Sequence, residues 1–256
     1  MERKIVLSTD KLNIPVMVNT PLGGTPRRIV LGVHGLGGSI QDQIQEGLAE
    51  EMVLFGSAVV RFDFPAHGES ETDEFMLDDC MDTLLEVARF ARQEFEDVED
   101  LCIFSTGFGA YVTLLCLDQL RQMPGRVKLV VQTPSLRMDR SLLNMTRKTE
   151  QTFRLQEEHV LKSERPLRVT YDLYKETRKH MALENYEMPI LILQGEADDY
   201  IPMDDIYNFR RINEDARLVI IPGASHRFLE PGAWDMVLDL TRDWFEYEQV
   251  LLCDWE

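Results

Sequence analysis

Short, unbroken apolar runs separate longer amphipathic stretches along this chain. The runs cover residues 28–33, 58–62, 101–104, 128–131, 189–193 and 217–221. An apolar run without polar alternation is typical of a strand buried on both faces of a parallel sheet. Two further short strands are predicted within residues 4–20, joined at residues 10–13.

Apolar residues at helical spacing occupy the stretches between these runs. The predicted helices cover about residues 41–54, 77–95, 108–120, 203–211 and 231–247. Strands that alternate with helices imply right-handed βαβ units and a sheet covered on both faces. The predicted fold class is therefore α/β, with a mostly parallel, doubly wound sheet.

The alternation stops at residues 135–186, which are charged and mostly helical in pattern. Residues 137–186 hold 11 Lys/Arg and 8 Asp/Glu, a net charge of +3. Since the whole chain has a net charge of −18, the remaining residues carry −21. We predict a single domain over residues 1–256, in which 135–186 form a helical lid or cap, called the insertion below. Such folds place their sites at the carboxyl edge of the sheet, where we expect the insertion to lie.

Within the insertion, most apolar side chains are expected to pack between its helices rather than to line a pocket. Its basic residues, Arg137 and Arg140 among them, could attract an anionic substrate. Surface charges more often pair with opposite charges, so we favour ion pairs with the acidic body.

The amino-acid composition excludes some classes of binding partner and some cellular locations for this protein. The 256 residues include 27 Lys/Arg and 45 Asp/Glu, an acidic balance that disfavours nucleic acid and anionic lipid. No run of about 18 apolar residues predicts a membrane span, and the first residues lack the apolar run of a signal peptide. The four cysteines, at positions 80, 102, 116 and 253, have neither CxxC nor zinc-finger spacing. We therefore expect a cytoplasmic protein with reduced thiols and without metal or cofactor.

Three loops that follow predicted strands carry candidate chemistry. Residues 34–38, His-Gly-Leu-Gly-Gly, can turn backbone N–H groups toward a developing oxyanion. Asp198 and His226 follow the last two strands, and a carboxylate can orient an imidazole that acts as a base. Singly, Asp198 reads equally well as a helix N-cap and His226 as an exposed loop residue. Their order along the chain favours a functional pair, with Asp199 as the alternative acid.

Residues 61–70, Arg-Phe-Asp-Phe-Pro-Ala-His-Gly-Glu-Ser, contain a D-x-x-x-x-G-x-S turn. With these loops, nearly the whole chain resembles the α/β-hydrolase superfamily, and within it the serine aminopeptidase-like group that includes small cinnamoyl (feruloyl) esterases. The resemblance implies a carboxylic-ester or amide hydrolase with Asp198 as the triad acid and His226 as the general base. It makes the N–H of Leu36 an oxyanion donor, and it gives His34 a structural role.

The nucleophile that this resemblance requires is missing. The family's elbow is G-x-S-x-G, whereas residues 105–110 read Ser-Thr-Gly-Phe-Gly-Ala. Aligning the small residues and the following helix puts Gly107 at the nucleophile position and makes the N–H of Phe108 the second oxyanion donor. A rival register takes Ser105 as the nucleophile, but it places Ile103 where the tight turn needs a small residue. We favour Gly107 for that steric reason.

Without a hydroxyl at position 107, an acyl-enzyme cannot form there. Three explanations stay open: a serine changed to glycine to trap a ligand, a natural non-catalytic protein that binds small molecules or regulates, and a water activated by His226. The expected ligand is a small-molecule ester, amide or carboxylic acid. Cofactor-free lyase or dioxygenase chemistry has no specific support in the sequence. The apolar C-terminal residues 244–255 are expected to pack on the body, the alternative being a partner subunit in a homodimer.

Overall fold

An eight-stranded sheet organises the chain in a computed structural model that describes residues 1–163 and 165–249. The strands are β1 Glu2–Ser8, β2 Asn13–Asn19, β3 Arg28–Val33, β4 Ser57–Phe62, β5 Asp100–Thr106, β6 Arg126–Gln132, β7 Glu158–Leu161, β8 Leu167–Thr170, β9 Ile190–Gly195 and β10 Arg217–Ile221. The helices are α1 Gln43–Leu54, α2 Leu77–Glu94, α3 Gly107–Leu115, α4 Leu117–Arg121, α5 Met138–Thr146, α6 Glu150–Gln156, α7 Tyr171–Lys179, α8 Met203–Ile212 and α9 Ala233–Tyr247.

The sheet has the order β1-β2-β4-β3-β5-β6-β9-β10. The pairs β1–β2 and β2–β4 are antiparallel, and every other pair in this sheet is parallel. Strands β3, β4 and β9 are buried at every position, as their unbroken apolar runs predict. The predicted α/β class and the mostly parallel sheet are confirmed.

Apolar side chains cover the two faces of the sheet as separate clusters. On one face α1 and α9 pack against the sheet, and Leu48 and Phe245 are fully buried there. On the other face α2, α3, α4 and α8 do the same, with Leu84 and Phe209 fully buried. Burial on both sides explains why the sheet strands lack polar alternation.

Two predicted elements differ from those observed. The single helix predicted over 108–120 is divided at Cys116, whose backbone N–H donates to the carbonyl oxygens of Val112 and Thr113, so α4 starts anew at Leu117. The insertion contains α5, α6 and α7, and also an antiparallel hairpin of β7 and β8 that the helical pattern did not indicate. Each strand of this hairpin has only four residues, too few for a clear period of two.

The insertion has its own apolar packing. Phe153 and Leu173 are buried, and the rings of Tyr171 and Tyr174 stack with their centroids 5.5 Å apart. Most of the apolar residues thus pack between helices, as the sequence suggests.

Basic residues of the insertion form ion pairs. Arg137 pairs with Asp139 at 3.0 Å, and Arg140 pairs with Asp205 of α8 at 2.6 Å. The second contact is an ion pair with the acidic body, as we favoured, whereas the first lies within the insertion.

Other expectations concern the membrane, the thiols and the C-terminus. No helix in the described ranges is long and apolar enough to cross a membrane. Cys80, Cys102 and Cys116 are free and buried, and burial raises the pKa of Cys102 and of Cys116 to about 12. Trp244 and Phe245 pack on the body and Tyr247 is exposed, whereas Cys253 and the other tail residues from 250 onward lie outside the described residues.

Candidate active site

Gly107 occupies the turn between β5 and α3. Its φ is +48°, in the left-handed region that side chains with a β-carbon rarely adopt. Its carbonyl oxygen accepts the backbone N–H of Ser135, which follows β6, at 3.1 Å. This strand-to-helix turn with a positive φ has the backbone geometry of a nucleophile elbow.

Ser105 lies two residues before the turn, inside β5. It is fully buried between Val33 of β3 and Val131 of β6. Its Oγ has no hydrogen-bond partner within the part of the chain that the structure describes. The rival register would need this hydroxyl at the turn, so the geometry favours Gly107 as the elbow position.

Asp198 and His226 form a hydrogen-bonded pair beside Gly107. Nδ1 of His226 donates to Oδ2 of Asp198 at 2.8 Å. On the other side of the ring, Nε2 would lie 3.7 Å from a β-carbon placed on Gly107. Along the chain Asp198 follows Gly107 by 91 residues, and His226 follows Asp198 by 28. In space the imidazole lies between the elbow and the acid. Asp199 is exposed and pairs with no described basic group.

The side chain of Asp198 is completely buried. Burial by itself would raise its pKa, but the bond to His226, the charge of that ring and the backbone N–H groups of Tyr200 and Ile201 together lower the pKa below its ordinary value. The two N–H groups donate to Oδ1 at 2.8 and 3.1 Å. An ionised acid can hold the imidazole in the tautomer whose free nitrogen faces Gly107.

Close backbone contacts fix the acid and histidine loops against each other. The N–H of Ala197 donates to the carbonyl oxygen of Ala224 at 2.9 Å. A β-carbon on Gly195 would overlap that same oxygen, so only glycine permits this approach. The separation between Asp198 and His226 is therefore set by main-chain packing.

Residues 34–38, called the oxyanion loop, lie beside the first turn of α3. A β-carbon on Gly35 would approach the carbonyl oxygen of Thr106 to 3.4 Å, and one on Gly109 would overlap that of His34. The N–H of Phe108 belongs to the first turn of α3, where amides have no acceptor within the helix. The N–H of Leu36 donates to no acceptor in residues 1–163 and 165–249. Both predicted donors are thus uncommitted and close to the elbow.

His34 connects this loop to the turn that follows β4. Its Nδ1 lies 2.8 Å from the carbonyl oxygen of Gly35, and its Nε2 accepts the N–H of Phe64 at 3.1 Å. Burial lowers the pKa of His34 to about 4, so the ring is neutral at pH 7. With both nitrogens engaged, it holds the loop in place, as expected from its position in the sequence.

Asp63 ties the D-x-x-x-x-G-x-S turn to the end of the oxyanion loop. It accepts the N–H groups of Ile40 at 2.7 Å and of Glu69 at 2.8 Å. Burial raises the pKa of this carboxyl to about 6, although both N–H bonds act in the opposite direction. In the same turn, burial lowers the pKa of His67 to about 3.

The insertion touches the oxyanion loop through its hairpin. A β-carbon on Gly37 would lie 2.9 Å from Cβ of Ser163, just beyond β7. Nearby, the guanidinium of Arg165 donates to the carbonyl oxygen of Thr72 at 3.0 Å and pairs with Asp73 at 2.6 Å. The hairpin is thereby fastened next to the candidate site.

A cavity of about 210 Å³ borders the oxyanion loop at Gly37 and Gly38. Its walls include Asp63 and Arg165 but not Gly107, Asp198 or His226. We therefore do not assign it to the substrate. No group of three or more His, Cys, Asp or Glu residues in the described chain is arranged to hold a metal ion.

Sequence reasoning missed one residue of the site, Gln194. It is fully buried in β9, and its Nε2 donates to Oδ2 of Asp198 at 3.1 Å. The signal was present, because a glutamine closes the otherwise apolar run Ile190–Leu193 directly before the acid loop. A buried amide in such a strand needs a partner.

Solved structures share this architecture. Est1E from Butyrivibrio proteoclasticus, in a structure with ferulic acid bound, superposes with a TM-score of 0.81 at 18% identity, over 96% of this chain and 99% of that one. A putative hydrolase from Agrobacterium vitis gives 0.76 at 19% identity, with 94% and 97% covered. The mouse alpha/beta hydrolase domain-containing protein 10 gives 0.75 at 16% identity, with 96% and 100% covered.

At such identities these similarities establish the fold. No curated protein matches the chain. The sequence model of the alpha/beta hydrolase family, however, matches residues 30–239, which include the elbow, the acid, the histidine and the oxyanion loop. This protein therefore belongs to the α/β hydrolase family.

Proposed function

We propose that this site is that of a carboxylic-ester or amide hydrolase in which Gly107 stands at the nucleophile position. Asp198 is the acid, His226 the general base, and the N–H groups of Leu36 and Phe108 are the oxyanion donors. Because the hydroxyl is absent, the chain as given forms no acyl-enzyme at this position and turns esters over very slowly or not at all.

One observation carries the proposal. Nε2 of His226 lies 3.7 Å from the β-carbon position of Gly107, while Nδ1 is bonded to Asp198 at 2.8 Å. A hydroxyl on that β-carbon would come within hydrogen-bonding reach of Nε2, which is the arrangement that activates a serine. This geometry supports the assignment of His226 and Asp198 as the other two members of a triad.

Gly107→Ser tests this directly. The β-carbon meets only ordinary contacts, so we expect the variant to fold, to be labelled covalently by a fluorophosphonate and to hydrolyse short-chain or hydroxycinnamoyl esters at least about 100-fold faster than the unchanged chain. Gly107→Ala is the matched control, since it carries the same backbone strain without a hydroxyl. Adding His226→Ala to the serine variant should abolish the gain.

The labelled residue must be identified by mass spectrometry of the peptides. Label on Ser105 would show that our register is wrong. A folded Gly107→Ser variant with neither label nor turnover would refute the hydrolase site. Turnover by the glycine form that His226→Ala removes would show that the histidine activates water.

The second candidate is a non-catalytic protein that binds or senses a small ester, amide or carboxylic acid. Gly107 favours it, because two uncommitted N–H groups can bind an oxyanion, and without a hydroxyl at position 107 nothing there reacts with it. Nε2 of His226 can accept the proton of a carboxylic acid, and the protonated ring can then donate to the anion. Calorimetry of the unchanged chain with hydroxycinnamic and short-chain acids measures this binding. Affinity that falls in His226→Ala supports the candidate, and an absence of binding together with a reactivated Gly107→Ser variant counts against it.

Wider assignments of role, setting and partner belong to the same proposal. The insertion serves as a cap, which its contacts at Gly37 and Asp73 support. The setting is cytoplasmic, supported by the buried free thiols of Cys80, Cys102 and Cys116. The ligand is a small molecule rather than nucleic acid or membrane, and a homodimer stays open.

A further inference from the structure

Gln194 is buried in β9 at a position where the strand otherwise holds apolar residues. Its exposure is 0%, and its Oε1 has no partner in the described part of the chain. An amide that is only partly hydrogen-bonded destabilises a buried strand, and an apolar side chain would not carry this penalty. Packing alone therefore does not explain a glutamine at this position.

The orientation of the Gln194 amide follows from its neighbours. One end of the amide faces Oδ2 of Asp198 at 3.1 Å and the carbonyl oxygen of Gly195 at 3.3 Å. Both are acceptors, so the group between them must be the NH₂. Gln194 is thus a donor to the carboxylate.

With this bond, each oxygen of Asp198 accepts two hydrogen bonds. Oδ1 takes the N–H groups of Tyr200 and Ile201, which belong to the acid's own loop. Oδ2 takes Nδ1 of His226 and Nε2 of Gln194. Gln194 is the donor that comes from the rigid sheet, and it fixes the rotation of the carboxylate that turns Oδ2 toward the histidine.

We propose that Gln194 is a positioning residue, which holds Asp198 ionised and directs its Oδ2 to His226. This proposal rests on the proposed function, because it assigns Gln194 to the acid of the same site. The titratable groups near the carboxylate are His226, on the loop after β10, and Asp199 and Tyr200, on its own loop. The ring of Tyr200 meets that of His226 edge-on, with the centroids 5.1 Å apart.

Gln194→Met tests the proposal in the otherwise unchanged chain. Methionine has similar length, and it removes both the donor and the unpartnered Oε1, so we expect a folded protein. Without the donor Asp198 holds its proton more tightly, and we expect its proton affinity to rise at least about threefold, measured by the pH titration of its ¹³Cγ resonance. Gln194→Glu should raise it further, since two carboxyl groups would then share one site.

Gln132 offers a matched control. It is also a buried glutamine at the carboxyl end of a central strand, with an unpartnered Oε1, and it makes no hydrogen bond to Asp198. Gln132→Met should leave the Asp198 titration unchanged. If Gln194→Met also leaves it unchanged, Gln194 has only a structural role and the proposal is wrong.

A kinetic measurement gives a second test. In the Gly107→Ser background, Gln194→Met should lower kcat about 3- to 30-fold and leave KM within about twofold, because positioning of the acid matters in the transition state. An unchanged kcat would contradict the proposal. Failure of Gly107→Ser itself would contradict the proposed function, whereas the titration of Asp198 would still decide the role of Gln194.

Discussion

Gly109 shows how one residue without a side chain sets the distance between two elements. A β-carbon there would overlap the carbonyl oxygen of His34 and come 2.8 Å from that of Val33. The first turn of α3 can therefore approach the carboxyl end of β3 only if position 109 is glycine. This contact places the N–H of Phe108 next to the oxyanion loop.

We expect Gly109→Ala to lower the free energy of unfolding by about 2 kcal/mol, because both obstructing atoms belong to the backbone and must move. Urea titration followed by circular dichroism measures this loss. Gly223→Ala is the control, since its φ of +67° carries strain but nothing lies within 4 Å of the new carbon. A loss at Gly109 no larger than at Gly223 would show that α3 shifts freely against β3.

At this scale the sequence contained Gly107, Asp198 and His226, but Gln194 was not singled out. A glycine in a strand-to-helix turn has a steric signature that can be aligned with a motif. The role of Gln194 depends on a contact with the loop that follows it, and a glutamine in an apolar strand indicates that it needs a partner but not which one. A short sequence pattern can show where a turn lies. Hydrogen bonds between two loops can be identified only once the fold is known.

Among the elements, the hairpin of β7 and β8 is the one that connects the insertion to the body beside the site. Arg165, in its turn, donates to the carbonyl oxygen of Thr72 and pairs with Asp73. Strands of four residues with mixed charge give no clear pattern in the sequence. The prediction that residues 135–186 are mostly helical therefore did not include them. Tertiary contacts of Arg165 rather than local propensity account for the hairpin.

Arg165→Met should therefore loosen the hairpin without unfolding the sheet. We expect amide hydrogen exchange to accelerate at least about tenfold in residues 158–170, while β5 and β6 keep their protection. Arg168→Met is the control, because Arg168 forms an exposed ion pair with Glu158 inside the hairpin. Equal exchange in the two variants would mean that Arg165 does not fasten the insertion.

For the whole molecule, the alternation of strands and helices was sufficient to predict the class of fold but not the strand order. In the sheet, β4 lies between β2 and β3, and β6 pairs directly with β9 although the insertion separates these two strands along the chain. Burial of a strand on both faces shows that helices cover the sheet there, but it does not identify the strands that pair with it. The loops that form the candidate site meet because β3, β5, β9 and β10 are parallel and end at one edge.

Buried neutral histidines give the molecule a pH-dependent stability. Burial lowers the pKa of His34 to about 4 and of His67 to about 3, from an ordinary value of 6.5. Between pH 6.5 and 4 the unfolded chain binds protons at both rings that the folded chain does not bind. The free energy of unfolding should thus fall on acidification, by up to about 1.4 kcal/mol per pH unit for each ring.

Asp63 has the opposite effect on the pH dependence of stability. Because burial raises its pKa to about 6 from 3.8, the folded chain holds a proton at this carboxyl that the unfolded chain releases. Its contribution to stability grows as the pH falls from about 6 to 4. These three groups together should therefore contribute a slope of about one proton over this range, two from the histidines less one from the carboxyl.

His67→Phe isolates one of these protons. The ring of His67 already packs edge-on against Phe75, with the centroids 5.1 Å apart, so phenylalanine keeps an aromatic ring at a buried position. We expect the loss of stability between pH 6.5 and 4.5 to become shallower by up to about 1.4 kcal/mol per pH unit, measured by urea titrations at several pH values. Replacing the exposed His180 with glutamine is the control for the loss of a histidine as such. An unaltered slope in His67→Phe would mean that His67 takes up its proton in the folded chain as readily as in the unfolded one.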